Sequence, residues 1–265
     1  MNVKELIRKR KSVRTYNGEP FRKEDEQKLM ERVAMLENPF GIPIRFKLLP
    51  FETYGLSSPV IVGEDMYLGG AVPDIPNHEI AFGYTFEEAC LHALDQGIGT
   101  VFVAGTLDRP SFEKAMDLKG EIMPAVSPLG YPAKKRSVRE NLMRKAIHAD
   151  ERKPFGELFF KENFKQSLPE DHPYREYLEL VRWAPSATNT QPWRVVVQGT
   201  DLHFYEARTM KDSSIGDIQK VDIGIALCHF DLTWKADGHD GVFVFEDPGI
   251  DVPERTEYIV TYRVK

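Results

Sequence analysis

Cysteine is nearly absent. Cys90 and Cys228 are the only two among 265 residues, and they lie far apart without metal-ligand spacing. That excludes a disulfide framework, suggests no metal site, and suits a reducing cytoplasm. No apolar run approaches the ~18 to 20 residues of a membrane span. The opening MNVKELIRKRKSVR carries charge but no apolar core, so it does not read as a secretory signal. A positive balance is missing as well: 35 Lys and Arg against 41 Asp and Glu give a formal charge of −6. Such a balance argues against general nucleic-acid binding. The expectation is a cytoplasmic chain whose partners include neither membrane nor nucleic acid.

What is present describes a soluble globular protein, 42% apolar and 29% charged, long enough for one large domain or two ordinary ones. The basic residues gather in two places, RKRKSVR at 8–14 and the stretch from Lys134 to Lys153. On an acidic background, two such clusters point to a compact anionic ligand more than to a long polyanion. Solvated charge near helix ends is the plainer reading of either cluster alone. Val3, Leu6 and Ile7 give the opening helix an apolar face, and Arg10 and Arg14 are i,i+4 neighbours if that helix continues. Two guanidiniums with the Ser12 hydroxyl between them supply forked and single donors for a phosphate.

Two pairs of segments repeat in order. GYTFEEACLHALDQG (83–97) matches GIALCHFDLTWKADG (224–238) in length, in its glycine ends, and in Leu91 against Leu232. Each reads as a helix closed by glycine and followed by an apolar segment, IGTVFVAG or GVFVFED. Upstream, LMERVAMLENPFGIPIRFKLL (29–49) has the outline of YLELVRWAPSATNTQPWRVVV (177–197), with Pro43 answering Pro192 and Arg45 answering Arg194. An ancestral duplication is the simplest account. The halves differ where ligands would bind. The turn ENPFGI lacks the hydroxyls and amides of its twin, while RKRKSVR precedes the first copy only.

That second turn, between a helix carrying Tyr174, Tyr177, Leu178 and Val181 on one face and the strand run Val195–Val197, is built of small residues and amides. Asn189 and Gln191 each carry an acceptor and a donor, as a flat heterocycle with alternating carbonyl and N–H groups requires. Ala184, Ser186 and Ala187 let backbone approach a ring face. A polar loop leading to a core Trp193 is the bland alternative. A dianion site in one half and a platform for a flat polar ring in the other together describe flavin mononucleotide.

At these residues the chain resembles the nitroreductase family of FMN-dependent oxidoreductases. The Arg-x-Ser-x-Arg/Lys motif of that family matches Arg10, Ser12 and Arg14. Its Ala-Pro-Ser-x-x-Asn-x-Gln-Pro-Trp motif matches Ala184 to Trp193 throughout, AVSPLGYPAKK resembles its "GyP" segment, and ERKPF its terminal Arg-Lys-Pro. The turn normally follows the opening helix within one subunit, and each FMN lies at a homodimer interface. Here the turn comes after the GYP segment. The order is similar to a Thermotoga-type subset in which one chain forms a fused pseudo-dimer.

The resemblance implies an α+β, nitroreductase-like fold: two related halves with mostly antiparallel sheets flanked by helices. Residues 1–165 would form the phosphate side of the FMN site and 166–265 the half carrying the turn, packed as one unit and monomeric. It implies that Arg10, Ser12, Arg14 and Arg152 hold the phosphate and ribityl chain, with Lys153 and Arg136 weaker candidates. Pro185, Ser186 and Asn189 would approach the ring from the other half, with Gln191 structural. Val103, Ala104, Gly105 and Thr106 would end a strand whose N–H groups face the flavin N5 and O4.

No side chain need be a nucleophile or metal ligand, because the flavin carries the chemistry. The activity implied is hydride transfer from NADH or NADPH to flavin, then reduction of a small oxidant such as a nitroaromatic or quinone in a ping-pong cycle. A reductive dehalogenase on the same fold, a non-catalytic FMN store or sensor, and a decayed enzyme with an acidic partner stay open. His78, His92, His148, His172 and His229 show no partner at metal or triad spacing. NHEIAFGY is placed to shape a substrate mouth, and the two cysteines read as small core residues.

Overall fold

The computed structural model describes residues 2–213 and 215–265. Helix α1 (Val3–Lys9) starts at Asn2, whose side chain accepts a hydrogen bond from the Lys4 N–H at 3.0 Å. The chain continues through α2 (Lys23–Val33), β1 (Arg45–Pro50), a single turn α3 (Phe51–Tyr54), β2 (Met66–Pro73) and α4 (His78–Asp95). Next come α5 (Arg109–Met116), β3 (Glu121–Ile122), β4 (Val126–Leu129) and α6 (Val138–Ala146). The remainder is β5 (Phe159–Lys161), α7 (Arg175–Arg182), β6 (Trp193–Gln198), β7 (Asp201–Ala207), α8 (Ile218–Ala236), β8 (Gly241–Val244) and β9 (Thr256–Val264).

Two sheets form, and the architecture is α+β. In the first, β1 and β4 flank β2 antiparallel and β3 pairs the far end of β2. In the second, the order is β5-β6-β7-β9-β8, antiparallel except for the β5–β6 pair. Helix α4 lays Phe82, Phe86 and Ala89 against Leu68 and Val72 of the first sheet. Helix α8 lays Leu227 and Phe230 against Val195, Phe204 and Val260 of the second. The two helices then pack on each other, so both are apolar nearly all round, as helices buried on every side must be.

Their crossing explains two glycines. A Cβ on Gly83 would stand 2.0 Å from the Val221 carbonyl oxygen, and one on Gly224 would stand 2.2 Å from that of Ile80. Each obstructing carbonyl lies three residues before the opposite glycine, so the contact has the same offset in both directions. The matched glycines therefore do not open their helices, as the sequence suggested; α4 and α8 begin several residues earlier. The closing pair behaves as expected, Gly97 and Gly238 having φ of +78° and +84° just past each helix. NHEIAFGY is correspondingly not a mouth: it forms the start of α4, with Ile80, Ala81 and Phe82 buried. Among the described residues, no helix is long and apolar enough to cross a membrane.

Candidate functional site

Helix α1 stops at Lys9 rather than reaching Arg14. Arg10 has φ −60° and ψ 128°, and the chain beyond it pairs like a strand. Ser12 bridges Thr100 in parallel, the Val13 N–H donates to the Thr100 oxygen at 3.0 Å, and the Val62 N–H donates to the Arg14 oxygen at 3.0 Å. Those external partners replace the i→i−4 bonds a longer helix would have made. The condition for an i,i+4 relation of Arg10 and Arg14, a helix that continues past Arg10, is therefore not met. The motif works with a period of two instead, because alternate residues of extended chain share a face.

Around that face gather four arginines. Arg10 Nη2, Arg14 Nη1, Arg144 Nε and Arg152 Nε are buried atoms that donate to no acceptor among the described residues. Burial lowers the pKa of Arg14, and the neighbouring Arg144 and Arg10 add to the effect against the opposing Glu140. Burial, then Arg10 and Arg182, brings Arg152 down to about 10. Like charges driven together out of water, with N–H groups unspent, are unfavourable unless an anion completes them. Arg144 was not singled out in the sequence. Its signal was the SVRE capping box: Ser137 accepts from the Glu140 N–H at 3.1 Å and starts α6, which carries Arg144 one turn beyond Glu140. Glu140 in turn accepts from the Thr15 hydroxyl at 2.7 Å, docking α6 onto the motif strand.

The turn from the second half meets this cluster at Arg152. Arg152 Nη1 lies 3.4 Å from Asn189 Oδ1, and Asn189 Nδ2 donates to the carbonyls of His148 at 2.7 Å and Glu151 at 3.1 Å. Gln191, buried, accepts from the Lys153 N–H at 2.8 Å, which spends its amide oxygen inside the protein. Thr188, Asn189 and Gln191 all have positive φ, between 48° and 61°, a costly conformation for residues with a Cβ. The turn is held there by Ser186 Oγ, which accepts from the Gln191 N–H at 2.9 Å, and by Asp222 of α8, both of whose oxygens accept from the Ala187 N–H. Pro185 is half-buried beside them. A cleft of about 450 Å³ opens at the junction, lined by His148, Glu151, Arg152, Thr188, Asn189 and Gln191.

Segment 103–106 departs from expectation. It is not the end of a strand; only Val103 pairs, in an isolated bridge to Val126, and its N–H is spent on the Val126 oxygen at 2.8 Å. The N–H groups of Ala104, Gly105 and Thr106 have no protein acceptor among the described residues, and Gly105 stands in open space. Any backbone donors offered here come from 104–106, next to the segment that Ser12 bridges at Thr100.

The chain matches the family model described as "Putative TM nitroreductase" over residues 2–234. It belongs to this nitroreductase family. Among solved structures, a "putative nitroreductase" from Thermotoga maritima is 22% identical, with a TM-score of 0.63 over 100% of this chain and 93% of that one. A nitroreductase family protein from Clostridium novyi shows 17% identity and a TM-score of 0.43, over 51% of this chain and 87% of that one. An FMN-dependent nitroreductase from Clostridium difficile shows 11% and 0.43, over 50% and 88%. No curated protein matches.

Within this nitroreductase fold, the structure gathers Arg10, Arg14 and Arg152, with Arg144 beside them, and joins Asn189 to Arg152. Cys90 and Cys228 are buried free thiols whose pKa is raised by burial, inert in position and chemistry.

Proposed function

We propose that the chain is an FMN-dependent oxidoreductase with one flavin site, built between two related halves at residues 1–165 and 166–265 and working as a monomer. The observation that carries this reading is the set of buried guanidinium N–H groups left without acceptors at Arg10, Arg14, Arg144 and Arg152. A phosphate monoester would supply the oxygen acceptors that these N–H groups lack, and negative charge beyond that of Glu87 beside Arg10 and Asp150 beside Arg144. Bound FMN would supply hydride chemistry between NADH or NADPH and a small oxidant such as a nitroaromatic or quinone, in alternating half-reactions.

The chain's own part is to bind and orient. Arg10, Ser12, Arg14 and Arg152 would hold the phosphate end, Pro185, Ser186 and Asn189 would present the turn to the ring, and backbone N–H groups of 104–106 would offer donors to its polar edge. The strained turn supports this reading, since positive φ at three non-glycine residues persists only where surrounding contacts enforce it. Purified protein is expected to be yellow, with bands near ~370 and ~450 nm from the cofactor itself. Anaerobic NADH or NADPH should bleach the long-wavelength band. Protein that takes up no FMN would refute the reading, and flavin that neither nicotinamide bleaches would leave a binding protein in place of an enzyme.

A further inference from the structure

Glu87 on α4 is a fully buried carboxylate that none of the contacts above requires. Its Oε1 lies 2.9 Å from Arg10 Nε and 3.0 Å from His229 Nε2. The Arg10 contact is a close ion pair rather than an aligned hydrogen bond, and Glu87 Oε2 has no partner. His229, on α8, is equally buried, and its Nδ1 lies 3.0 Å from the Leu180 carbonyl oxygen on α7. The carbonyl can only accept, so Nδ1 donates to it and Nε2 stands at hydrogen-bond distance from the Glu87 carboxyl group. The imidazole thus braces the carboxylate from one side while the guanidinium occupies the other.

The consequence for Arg10 is directional. Helix α1 has ended at Lys9, so no helical turn fixes the Arg10 side chain. The Glu87 carboxylate stands nearest its Nε, and the terminal Nη2 is buried and without an acceptor among the described residues. A guanidinium paired with a carboxylate at its Nε end keeps its far end for a second anion. We propose that Glu87, braced by His229, is the positioning carboxylate that aims Arg10 at the flavin phosphate, resting on the FMN reading above. Because Glu87 and His229 sit on the two crossing helices, phosphate binding depends on that crossing. The contact line continues through Leu180 into α7, which leads to the amide turn.

The test compares two flavins that differ only in the phosphate. Full-length apoprotein is titrated with FMN and with riboflavin, following quenching of flavin fluorescence, in the wild type and in Glu87→Gln. Glutamine keeps the shape and an oxygen acceptor and removes the charge. FMN affinity should fall about tenfold or more, the scale of one charge-assisted contact, while riboflavin affinity holds. Equal loss for both flavins would mean that Glu87 only supports packing, and an unchanged preference for FMN would mean that it does not aim Arg10; either overturns the inference while the FMN reading stands. A wild type without preference for FMN over riboflavin would instead overturn the phosphate assignment itself. Should Glu87→Gln fail to fold, His229→Gln makes the same comparison from the other side of the carboxylate, with the same loss of preference expected.

Discussion

Arg14 sets a cost in stability against the binding proposed for it. Its guanidinium is partly withdrawn from water, sits near Arg10 and Arg144, and keeps one N–H without an acceptor. Because its pKa is lowered in the folded chain, the charged form costs more folded than unfolded at neutral pH. Arg14→Met keeps the volume and removes the charge. Without flavin it should raise the melting temperature by about 2 to 4 °C, equivalent to about 1 kcal/mol. FMN binding should weaken by about 2 kcal/mol, roughly 30-fold, for the lost charge-assisted contact. Calorimetric melting of apoprotein and flavin titration measure the two effects. A variant that melts lower and binds FMN unchanged would place Arg14 outside the site.

At the scale of elements, the crossing of α4 and α8 is the joint on which both sheets depend. The carbonyls facing Gly83 and Gly224 are backbone atoms, which cannot swing aside as a side chain tip can. Gly83→Ala should therefore separate the helices and cost about 2 to 3 kcal/mol, read as a lower urea midpoint. It should also loosen FMN, since Glu87 and His229 lie one turn further along the same pair. Wild-type stability in this variant would show that the helices do not bear on one another as described. Much of this level was legible in the sequence. The strand run Val195–Val197 lies inside β6, Tyr177, Leu178 and Val181 are buried along α7, and both helices end at their closing glycines.

Local patterns misled where a partner distant in sequence decides the conformation. The charged run after α1 looked helical, but pairing with Thr100 and Val62 draws it out. IGTVFVAG looked like a strand, yet it makes only isolated bridges at Gly99, Thr100 and Val103. Glycines 83 and 224 looked like helix ends because a glycine that admits another helix and one that caps its own have the same letter. His229 looked idle because spacing cannot reveal Glu87 on the other long helix.

Considered whole, the chain places arginines from its opening segment and from 144–152 against a turn from its later half, with Asn189 and Arg152 at the seam. The matched helices cross with an equal offset in both directions, and the proposed single flavin site takes a different portion from each half. ENPFGI offers little to a flavin ring, and no second Arg-x-Ser-x-Arg precedes the later copy. Titrating full-length apoprotein with FMN to a sharp end point tests this most directly. One equivalent per chain is the predicted result; two equivalents, or none, would contradict it.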